Sequence, residues 1–397
     1  MDQLCKRIDS YYDNMVSTLE TLVNIDSGAD CPEGIKEVAA NVGDHLKSIG
    51  FQVEYLDYPG IATHVLATRK GTAPDARNVM IIGHLDTVFP KGTAAARPFR
   101  QEHGIAYGPG VLDMKSGVTI ALYALRAMSE LDLIKNNVTV MFVGDEEAGH
   151  PYTDAAEQLR KAAAGKDAVF NMETGSDKGT VVLGRTGIYY PEITVEGIAA
   201  HSGKDPEKGA SAVRELVYKL VDLYRFSDTD DNISFNAGII TGGVAANGIA
   251  AHAEMKGDFR YKTVDSGPKI LKALEEICAK TYVPRTQTKL VCDPNRGFIP
   301  MEKTEANVAL YNVVREQGAK IGVNIEGITV GAGSDSCYTS VVGAPTVCAM
   351  GARGELNHSA QEYMRLDSLT ERAKILALSI LAKVENAEKQ TSLATNI

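Results

Sequence analysis

The sequence predicts an α/β protein with a mainly parallel central sheet and a smaller α+β domain inserted into it. Two apolar runs, residues 78–83 and 138–143, show no alternation with polar residues, which is typical of strands buried on both faces of a parallel sheet. Helical patterns alternate with these strands, as in α/β layer sandwiches. Between residues 187 and 295 the order changes to β-α-β-β-α-β, which is the ferredoxin-like plan.

The N-terminal part of the chain contains two predicted helices followed by the strands of the central sheet. The first helix places Leu4, Ile8, Met15, Leu19 and Leu22 on one face, at spacings of three to four residues. The second helix, over residues 35–49, ends before Gly50. The elements predicted next are strands 51–58, 63–69 and 78–83, helix 115–131, strand 138–143, helix 153–164 and strand 167–171.

The remaining elements define three segments of the chain. The inserted domain is predicted to contain strand 189–196, helix 210–224, strands 233–240 and 250–261, helix 268–280 and strand 288–292. A helix at 307–321, a strand at 344–349 and a last helix follow, and Ser368–Glu371 resembles a capping box at the start of that helix. The predicted boundaries are therefore 1–186 and 296–397 for the α/β domain and 187–295 for the insertion.

Composition excludes several classes of function. The 41 Lys and Arg residues against 51 Asp and Glu give a net charge of -10, so the basic surface expected of a protein that binds nucleic acid or anionic membrane is missing. The 6 cysteines show no C-x-x-C spacing, which is typical of reduced, intracellular proteins. The N-terminus lacks the apolar region of a signal peptide, and no run of apolar residues is long enough to span a bilayer. We therefore expect a cytoplasmic enzyme.

Possible metal ligands follow three of the predicted buried strands. These are His84, which is followed by Asp86, then the pair Glu146 and Glu147, and finally Glu173. Ligands bind outside the carboxyl ends of the strands in open α/β sheets, so these side chains are expected to converge there. Asp113 and His358 are two further candidates, in the loop segments Gly108-Pro-Gly-Val-Leu-Asp113 and Glu355-Leu-Asn-His358-Ser.

Simpler explanations exist for each of these residues taken singly. A histidine is more often a surface or hydrogen-bonded core residue than a ligand, and a cluster such as Asp145-Glu146-Glu147 is usually a solvated turn. The positions directly after buried strands favour the metal site, since a buried charge needs a partner. The glycine-rich segment Gly331-Ala-Gly333-Ser334-Asp335 lacks the frame of a nucleotide-binding loop.

The motifs taken together resemble those of the M20 metallopeptidases, and most of all the glutamate carboxypeptidase/ArgE/DapE-like branch. Their order and approximate spacing match over nearly the whole chain. The matching segments are His84-Leu-Asp86-Thr-Val, Gly108-Pro-Gly-Val-Leu-Asp113, Gly144-Asp-Glu146-Glu147, Met172-Glu173, Ala200-His201-Ser-Gly203 and Gly333-Ser334-Asp335. The resemblance implies a zinc-peptidase-like catalytic domain with an inserted dimerisation, or lid, domain.

The resemblance also implies roles for the residues of the α/β domain. Two Zn²⁺ ions would share Asp113, with His84 and Glu173 completing one site and Glu147 and His358 the other; Co²⁺ or Mn²⁺ would fit the same ligands. Glu146 would be the general base that takes a proton from the attacking water. Asp86 would orient the His84 imidazole. The peptide bond after Asp113 would be cis.

In the inserted domain the resemblance implies substrate contacts. His201 would reach across a homodimer to stabilise the oxyanion, and Asn247 and Arg260 would bind the substrate carboxylate. The loop with Gly333 and Ser334 would line the substrate pocket. Read without the family, these side chains would be a surface histidine, a turn asparagine and a strand-edge arginine.

The substrate and the reaction are left with alternatives. The basic side chains that select glutamate in glutamate carboxypeptidases are matched only loosely, by Arg185 and Arg296. The chain is therefore expected to be a dinuclear zinc hydrolase of small peptides or N-acyl amino acids, either a carboxypeptidase or dipeptidase, or an aminoacylase or N-acetyl-amino-acid deacetylase. A catalytically silent metal-binding protein of the same fold is the third reading, and the general base Glu146 argues against it, because a protein that only binds has no use for one.

Overall fold

The structure is a computed structural model that describes residues 1–294 and 297–382. The chain forms two compact units. The first comprises Met1–Leu183, Lys303–Thr329 and the chain from Ser334 onward, and the second comprises Gly184–Glu302 and Val330–Gly333. Arg296 and the predicted boundary at 295–296 lie outside the described residues.

The helices and strands are numbered in chain order. The α-helices are α1 Asp2–Asp9, α2 Tyr12–Val23, α3 Pro32–Ser48, α4 Thr93–Ala96, α5 Lys115–Glu130, α6 Ala155–Ala163, α7 Ala212–Ser227, α8 Ser266–Ala279, α9 Glu305–Lys320, α10 Ser336–Ser340 and α11 Asp367–Leu381. The strands of the first half are β1 Gln52–Tyr58, β2 Ala62–Arg69, β3 Asn78–His84, β4 Arg100–Glu102, β5 Ile105–Tyr107, β6 Asn137–Val143, β7 Ala168–Asn171, β8 Gly175–Ser176, β9 Val181–Arg185 and β10 Gly187–Tyr189. Those of the second half are β11 Glu192–Glu196, β12 Ala200–His201, β13 Ile233–Gly242, β14 Gly248–Ile249, β15 His252–Tyr261, β16 Gln287–Val291, β17 Gly327–Val330, β18 Thr346–Val347, β19 Arg353–Glu355 and β20 Tyr363–Arg365.

The central sheet of the first unit has the strand order β1-β2-β6-β3-β7-β18. The β6, β3, β7 and β18 strands run parallel to one another, whereas β1 and β2 form an antiparallel edge. Helices α3 and α5 pack on β2 and β3, α6 packs on β6, and α2 and α11 pack against α5. The predicted α/β class is confirmed. The apolar runs are strands of this sheet because their side chains are buried from residue 79 to 84 and from 138 to 143.

A second, five-stranded sheet of short strands also belongs to the first unit, in the order β4-β5-β20-β19-β8. The sequence pattern did not predict it. Each of these strands has only two or three residues, so none of them carries a periodic pattern.

The second unit has the predicted ferredoxin-like plan. Its antiparallel sheet has β15 at the centre, paired with β11 and β13, and β16 pairs with the other edge of β11. Helices α7 and α8 pack on this sheet and on each other. The core between them is apolar and includes Ile193, Leu216, Phe259 and Leu274, each at most 1% exposed.

Three local predictions were wrong. The single N-terminal helix is divided into α1 and α2 at Ser10, whose hydroxyl donates to the Arg7 carbonyl. The strand predicted over 189–196 is two strands, because Pro191 separates β10 from β11 and has no N–H to donate. The capping box is absent, since α11 begins at Asp367 and the Ser368 hydroxyl bonds the Arg365 carbonyl instead.

Two further expectations concern membrane-spanning segments and disulfides. No helix in the described part of the chain is long and apolar enough to cross a membrane. No two of the six cysteines, all of which are described, form a disulfide.

Candidate metal centre and active site

Strand register brings the first candidate ligands to one edge of the central sheet. His84 is the last residue of β3 and lies opposite Val143, the last residue of β6. Ile82 of β3 lies opposite Asn171, the last residue of β7. The residues that follow β6 and β7, which include Glu147 and Glu173, therefore leave the sheet beside His84, as parallel strands require.

The short-stranded sheet supplies the remaining backbone of the site. β5 precedes the loop that carries Asp113, β8 follows Glu173, and β19 precedes the loop that carries His358. The pairing of these strands brings three segments that are distant in sequence to one place. Gly117, in the first turn of α5, allows the close approach of the Asp113 segment: a Cβ atom there would lie 1.9 Å from the Met172 carbonyl oxygen.

His84, Asp113 and Glu173 form one group of ligand atoms that lie within 4.8 Å of one another. The Nε2 atom of His84 is 3.2 Å from Asp113 Oδ1 and 3.6 Å from Glu173 Oε1. All three residues are buried. The peptide bond between Asp113 and Met114 is cis.

Asp113, Glu147 and His358 form the second group, and Asp113 belongs to both. The Nε2 atom of His358 is 3.1 Å from Asp113 Oδ2 and 3.3 Å from Glu147 Oε2. The two oxygens of Asp113 are thus divided between two histidines. His358 has a φ of 62°, in the left-handed region that side-chain-bearing residues seldom adopt.

Asp86 holds the backbone of the two adjacent glutamates. Its carboxylate accepts hydrogen bonds from the N–H groups of Glu146, at 3.2 Å, and Glu147, at 2.9 Å. The Nδ1 atom of His84 lies 3.1 Å from the Asp86 carbonyl oxygen and 3.5 Å from its carboxylate. Asp86 therefore contacts both His84, at the end of β3, and the residues that follow β6. The Nδ1 atom of His84 lies nearer to the carbonyl oxygen of Asp86 than to the Asp86 carboxylate.

Burial and mutual repulsion disturb the pKa values of these carboxyl groups. Burial raises the pKa of Glu146 well above its usual value, and Glu173 and Asp335 add to the effect although His84 opposes it. The pKa of Glu147 is raised to about 7, first by burial and then by Asp113. Hydrogen bonds to Asp113 and Glu147 raise the pKa of His358 to about 11, against the effect of burial. Negative charge is thus in excess at this site.

The residues present fit a pair of divalent metal ions. Each group offers an imidazole nitrogen and carboxylate oxygens, which is the ligand chemistry of Zn²⁺, Co²⁺ and Mn²⁺. The Oε1 atom of Glu147 is buried and accepts no hydrogen bond from the described residues. A buried carboxylate oxygen of this kind needs a cation or a donor.

Glu362 and Asn357 belong to the site although no sequence motif singled them out. The buried Glu362 carboxylate accepts hydrogen bonds from the N–H groups of Gly110, Leu112 and Asp113, at 2.8 to 3.1 Å. Asn357 donates from Nδ2 to Asp113 Oδ2 at 2.9 Å. In the sequence, only their closeness to His358 could have pointed to these two residues. A side chain that accepts hydrogen bonds from backbone N–H groups leaves no recognisable pattern in the sequence.

The other predicted site residues lie in the second unit, and the first of them is His201. This exposed histidine, in β12, pairs with Gly248 of β14. Its neighbour Ser202 donates two 3.0 Å hydrogen bonds, from N–H and hydroxyl, to the Asn247 carbonyl oxygen. His201 and Asn247 therefore share one small, exposed two-stranded structure.

Arg260 lies on β15 and is held at three nitrogens. Its Nε and Nη2 atoms each donate a 2.8 Å hydrogen bond to Asp258, and Nη1 donates to the Gly331 carbonyl oxygen at 3.1 Å. Arg185 donates from Nη1 to the Gly333 carbonyl oxygen at 2.8 Å. These contacts explain why Val330–Gly333 belongs to the second unit.

Ser334 differs from Gly333 in its surroundings. It begins the next segment of the first unit, where its fully buried hydroxyl accepts a 2.9 Å hydrogen bond from Asn171 Nδ2. The Ser334 side chain is thus part of the packed interior, next to the last residue of β7.

Comparison with known families decides the classification. The sequence profile of Peptidase family M20/M25/M40 matches residues 80–382, more than half of the chain. The chain belongs to this family. Enzymes of the family are metal-dependent and hydrolyse amide bonds, so this M20 protein is a hydrolase of amide bonds. The two groups of histidine and carboxylate side chains described above are its candidate metal-binding residues.

Named relatives and solved structures agree with this assignment. Carboxypeptidase G2 of Pseudomonas sp. (strain RS-16) is 29% identical over 375 residues, which cover 92% of this M20 chain and 88% of the relative. N-acetyl-L-citrulline deacetylase of Xanthomonas campestris pv. campestris is 32% identical over 255 residues, covering 61% and 65% of the two chains. The crystal structure of aminopeptidase PepT from Bacillus cereus has the same fold, with a TM-score of 0.79 at 19% identity over 93% of this chain and 98% of that one.

Proposed function

We propose that this M20 protein is a dinuclear zinc hydrolase that cleaves the amide bond of small peptides or N-acyl amino acids with a free carboxylate, as a carboxypeptidase or dipeptidase would. One observation carries this proposal: Asp113 is shared by two groups of possible ligands, and each group contains one histidine and one glutamate of its own. Glu146 is buried and directly precedes Glu147, which belongs to the second group. Two metal ions that share a carboxylate, with a general base beside them, are an arrangement suited to hydrolysis.

Five residues would hold the metal ions. His84, Asp113 and Glu173 would bind one, and Asp113, Glu147 and His358 the other. When bound, the ions would polarise the scissile carbonyl and acidify the attacking water. Co²⁺ or Mn²⁺ would satisfy the same ligands, and zinc is proposed because imidazole and carboxylate ligands are typical of its catalytic sites.

Glu146 would act as the general base and then as the general acid. Its burial and the nearby carboxylates raise the pKa of its carboxyl group, whereas the positive charge of His84 lowers it. In the metal-loaded protein His84 would be a neutral ligand and the metal charges would replace its effect, so Glu146 would be ionised and could accept a proton from water and return it to the leaving amine. Asp86 would fix the position of Glu146 by accepting its backbone N–H.

The substrate carboxylate would be bound by the second unit. Arg260 would contact the carboxylate through the part of its guanidinium that Asp258, Gly331 and the nearby Tyr190 leave available. Asn247 would add a donor, and His201 would stabilise the oxyanion. The backbone of Gly333 would line the substrate pocket, and the Ser334 hydroxyl, which is fully buried, would support it from behind.

A homodimer through the second unit is part of the proposal. One face of α7 is apolar and exposed, with Val213, Val217 and Val221 between 38% and 50% exposed. Ile239 and Ile240, on the adjacent strand β13, are 56% and 57% exposed. Exposed apolar side chains concentrated on one helix and the strand that packs against it are typical of an interface, and a second copy would bury them. The cytoplasm, a reducing compartment, is the proposed location because of the cysteine pattern.

Deacylation of an N-acyl amino acid is the second candidate. The similarity to N-acetyl-L-citrulline deacetylase and to succinyl-diaminopimelate desuccinylase of Corynebacterium glutamicum, 30% identical over 246 residues, favours it. Both reactions cleave an amide next to a free carboxylate, so the same residues would serve either.

The test is metal analysis combined with a substrate panel. We expect two equivalents of Zn²⁺ per chain and release of a free amino acid either from dipeptides and longer peptides or from N-acyl amino acids such as the N-acetyl derivatives. Preference for the first group supports the peptidase, and preference for the second supports the deacylase. Full metal occupancy without turnover of any panel member would contradict both and leave the metal-binding protein. As the matched control, Glu146→Gln should keep the metal and lose the turnover.

A further inference from the structure

His150 bridges two carboxylates behind the candidate active site. Its Nδ1 atom lies 2.8 Å from Asp145 Oδ1, and its Nε2 atom lies 2.7 Å from Asp335 Oδ1. The side chains of all three residues are at most 5% exposed. Asp145 directly precedes Glu146 and Glu147, whereas Asp335 directly precedes α10 and is 185 residues away from His150.

Both hydrogen bonds require a protonated imidazole. A carboxylate accepts and does not donate, so each ring nitrogen must carry a hydrogen for both contacts to form, and the ring is then a cation. Burial lowers the pKa of His150, but Asp335 and Asp145 outweigh it and raise the pKa well above its usual value. The bridge is therefore an ion triplet, and hydrogen bonds between charged groups are the stronger kind.

The backbone between Asp145 and His150 is folded back on itself. The Gly149 N–H donates to the Glu146 carbonyl oxygen at 2.8 Å, and the His150 N–H donates to the Asp145 carbonyl oxygen at 3.2 Å. His150 has a φ of 55°, in the left-handed region, and this conformation returns its ring to the Asp145 side chain. Glu146 and Glu147 thus belong to a turn that backbone hydrogen bonds close at residues 145 and 150.

The turn is fixed from two sides. Asp86 accepts the N–H groups of Glu146 and Glu147 on one side. On the other side the Asp145 carboxylate is held by His150 and, at 2.7 Å, by the Thr153 hydroxyl. Through Asp335, His150 attaches the turn to the segment that precedes α10.

We propose that His150 is a positioning residue, which ties the turn carrying Glu146 and Glu147 to the start of α10 and so sets the place of the general base and of one metal ligand. The proposal rests on the proposed function for the roles of the two glutamates. A neutral imidazole has a single N–H and could not donate to both carboxylates, so the position is expected to depend on the positive charge of the His150 ring and not only on the space that the ring fills.

The test compares the wild type with four variants of the full-length protein, all loaded with Co²⁺, whose visible absorption reports its ligand geometry. In His150→Gln we expect kcat to fall by about ten- to a hundredfold with KM within about twofold, as is usual when a residue that supports a metal ligand is lost. The Co²⁺ affinity should fall by about tenfold, and the visible bands should change in position or intensity. His45→Gln, which replaces a partly buried imidazole elsewhere in the first unit, should leave kcat, Co²⁺ affinity and the visible bands near those of the wild type.

Asp335→Asn and the double variant His150→Gln/Asp335→Asn separate positioning from simple charge balance. The double variant has one unpaired buried carboxylate fewer than His150→Gln, so it should recover thermal stability yet keep the low kcat and the altered Co²⁺ spectrum. Recovery of kcat and spectrum together with stability would overturn the proposal. So would a folded His150→Gln protein with wild-type kcat and Co²⁺ binding. If His150→Gln does not fold, Asp335→Asn and the double variant decide by the same measurements.

The Co²⁺ readouts separate this proposal from the proposed function. If the wild type hydrolyses no member of the substrate panel, the proposed hydrolase fails, but Co²⁺ affinity and spectrum still show whether His150 positions Glu147. Unchanged Co²⁺ binding in every folded variant would then overturn the positioning role on its own.

Discussion

The backbone N–H of Glu147 donates a 2.9 Å hydrogen bond to Oδ2 of Asp86. The other oxygen of the same carboxylate accepts the N–H of Glu146, at 3.2 Å. One buried side chain just after the end of β3 thus orients two consecutive residues that follow β6. Because the backbone is fixed in this way, the side chains of Glu146 and Glu147 can have different tasks although they are adjacent in sequence.

The first prediction separates the two glutamates. Glu146→Gln should leave metal content nearly intact and lower kcat by about 10²- to 10⁴-fold, because proton transfer is lost while the ligands remain. Glu147→Gln should lower metal content, because a neutral amide replaces a ligating carboxylate. Metal analysis and steady-state kinetics of both variants check this. Equal loss of metal from the two would show that the assigned roles are wrong.

The second prediction concerns assembly. If His201 acts across a subunit boundary, then His201→Ala and Glu146→Gln chains, each inactive alone, should partly restore activity when they are mixed and reassembled. One site of such a heterodimer would combine an intact Glu146 with an intact His201. The measurement is turnover per heterodimer after separation by distinct affinity tags.

A heterodimer without restored activity would place His201 in the site of its own subunit or outside catalysis. Each variant reassembled with itself is the control, and it should remain inactive. Val217→Glu, on the exposed face of α7, should weaken the dimer if that face is the interface. It should then abolish the restored activity as well.

The third prediction is a pH dependence of stability that involves His45. Burial lowers the pKa of His45 from 6.5 to about 4, and the nearby Arg126 adds to the effect. The folded state therefore favours the neutral ring, so this contribution to stability is present above pH 6.5 and is lost as the pH falls toward 4. Between pH 7 and pH 5 the loss should be about 2 kcal/mol.

Urea unfolding of the wild type and His45→Gln at the two pH values tests this prediction. The variant should lose less stability than the wild type between pH 7 and pH 5, by about that amount. His103→Gln, in which an exposed imidazole is replaced, should behave as the wild type does. Parallel pH profiles for all three proteins would show that His45 does not contribute.

The ends of the buried strands were the part of the site that the sequence could predict. Continuous apolar runs identify β3 and β6, and the parallel arrangement brings whatever follows them to one edge. The amino-acid pattern alone therefore predicts that His84 and Glu147 are neighbours. Asp113 and His358 could be named as further candidates, but their loops carry no periodic signal, and only the M20 motifs assigned them to the same site.

Contacts made by the short-stranded sheet could not be predicted in this way. Strands of two or three residues have no detectable alternation, and they pair because the larger sheet and its loops bring them together. Glu362 illustrates the difficulty, since it binds three backbone N–H groups of the loop that carries Asp113. The break between α1 and α2 has a similar origin: the apolar face continues across it, so the spacing of residues gives no sign of the interruption.

The last prediction concerns the substrate carboxylate and the fixed fork of Arg260. Asp258 lies two residues before Arg260 on β15, so both side chains are on the same face of the sheet, and the pair forms two parallel 2.8 Å hydrogen bonds. Arg260→Lys keeps the charge but loses the planar fork. It should lower kcat/KM by about ten- to a hundredfold, or about 1.4–2.8 kcal/mol. Asp258→Asn should cause a smaller loss, because the guanidinium remains but is held less firmly.

Substrate amidation is the matched measurement. Blocking the C-terminal carboxylate should lower kcat/KM of the wild type strongly and that of Arg260→Ala only slightly, since the partner of the carboxylate is already gone. The two changes should therefore be non-additive, as expected for groups that contact each other. If the wild type cleaves amidated and free substrates equally well, Arg260 does not bind a terminal carboxylate. The amide bond that this M20 hydrolase cleaves would then have to be sought in another class of substrate.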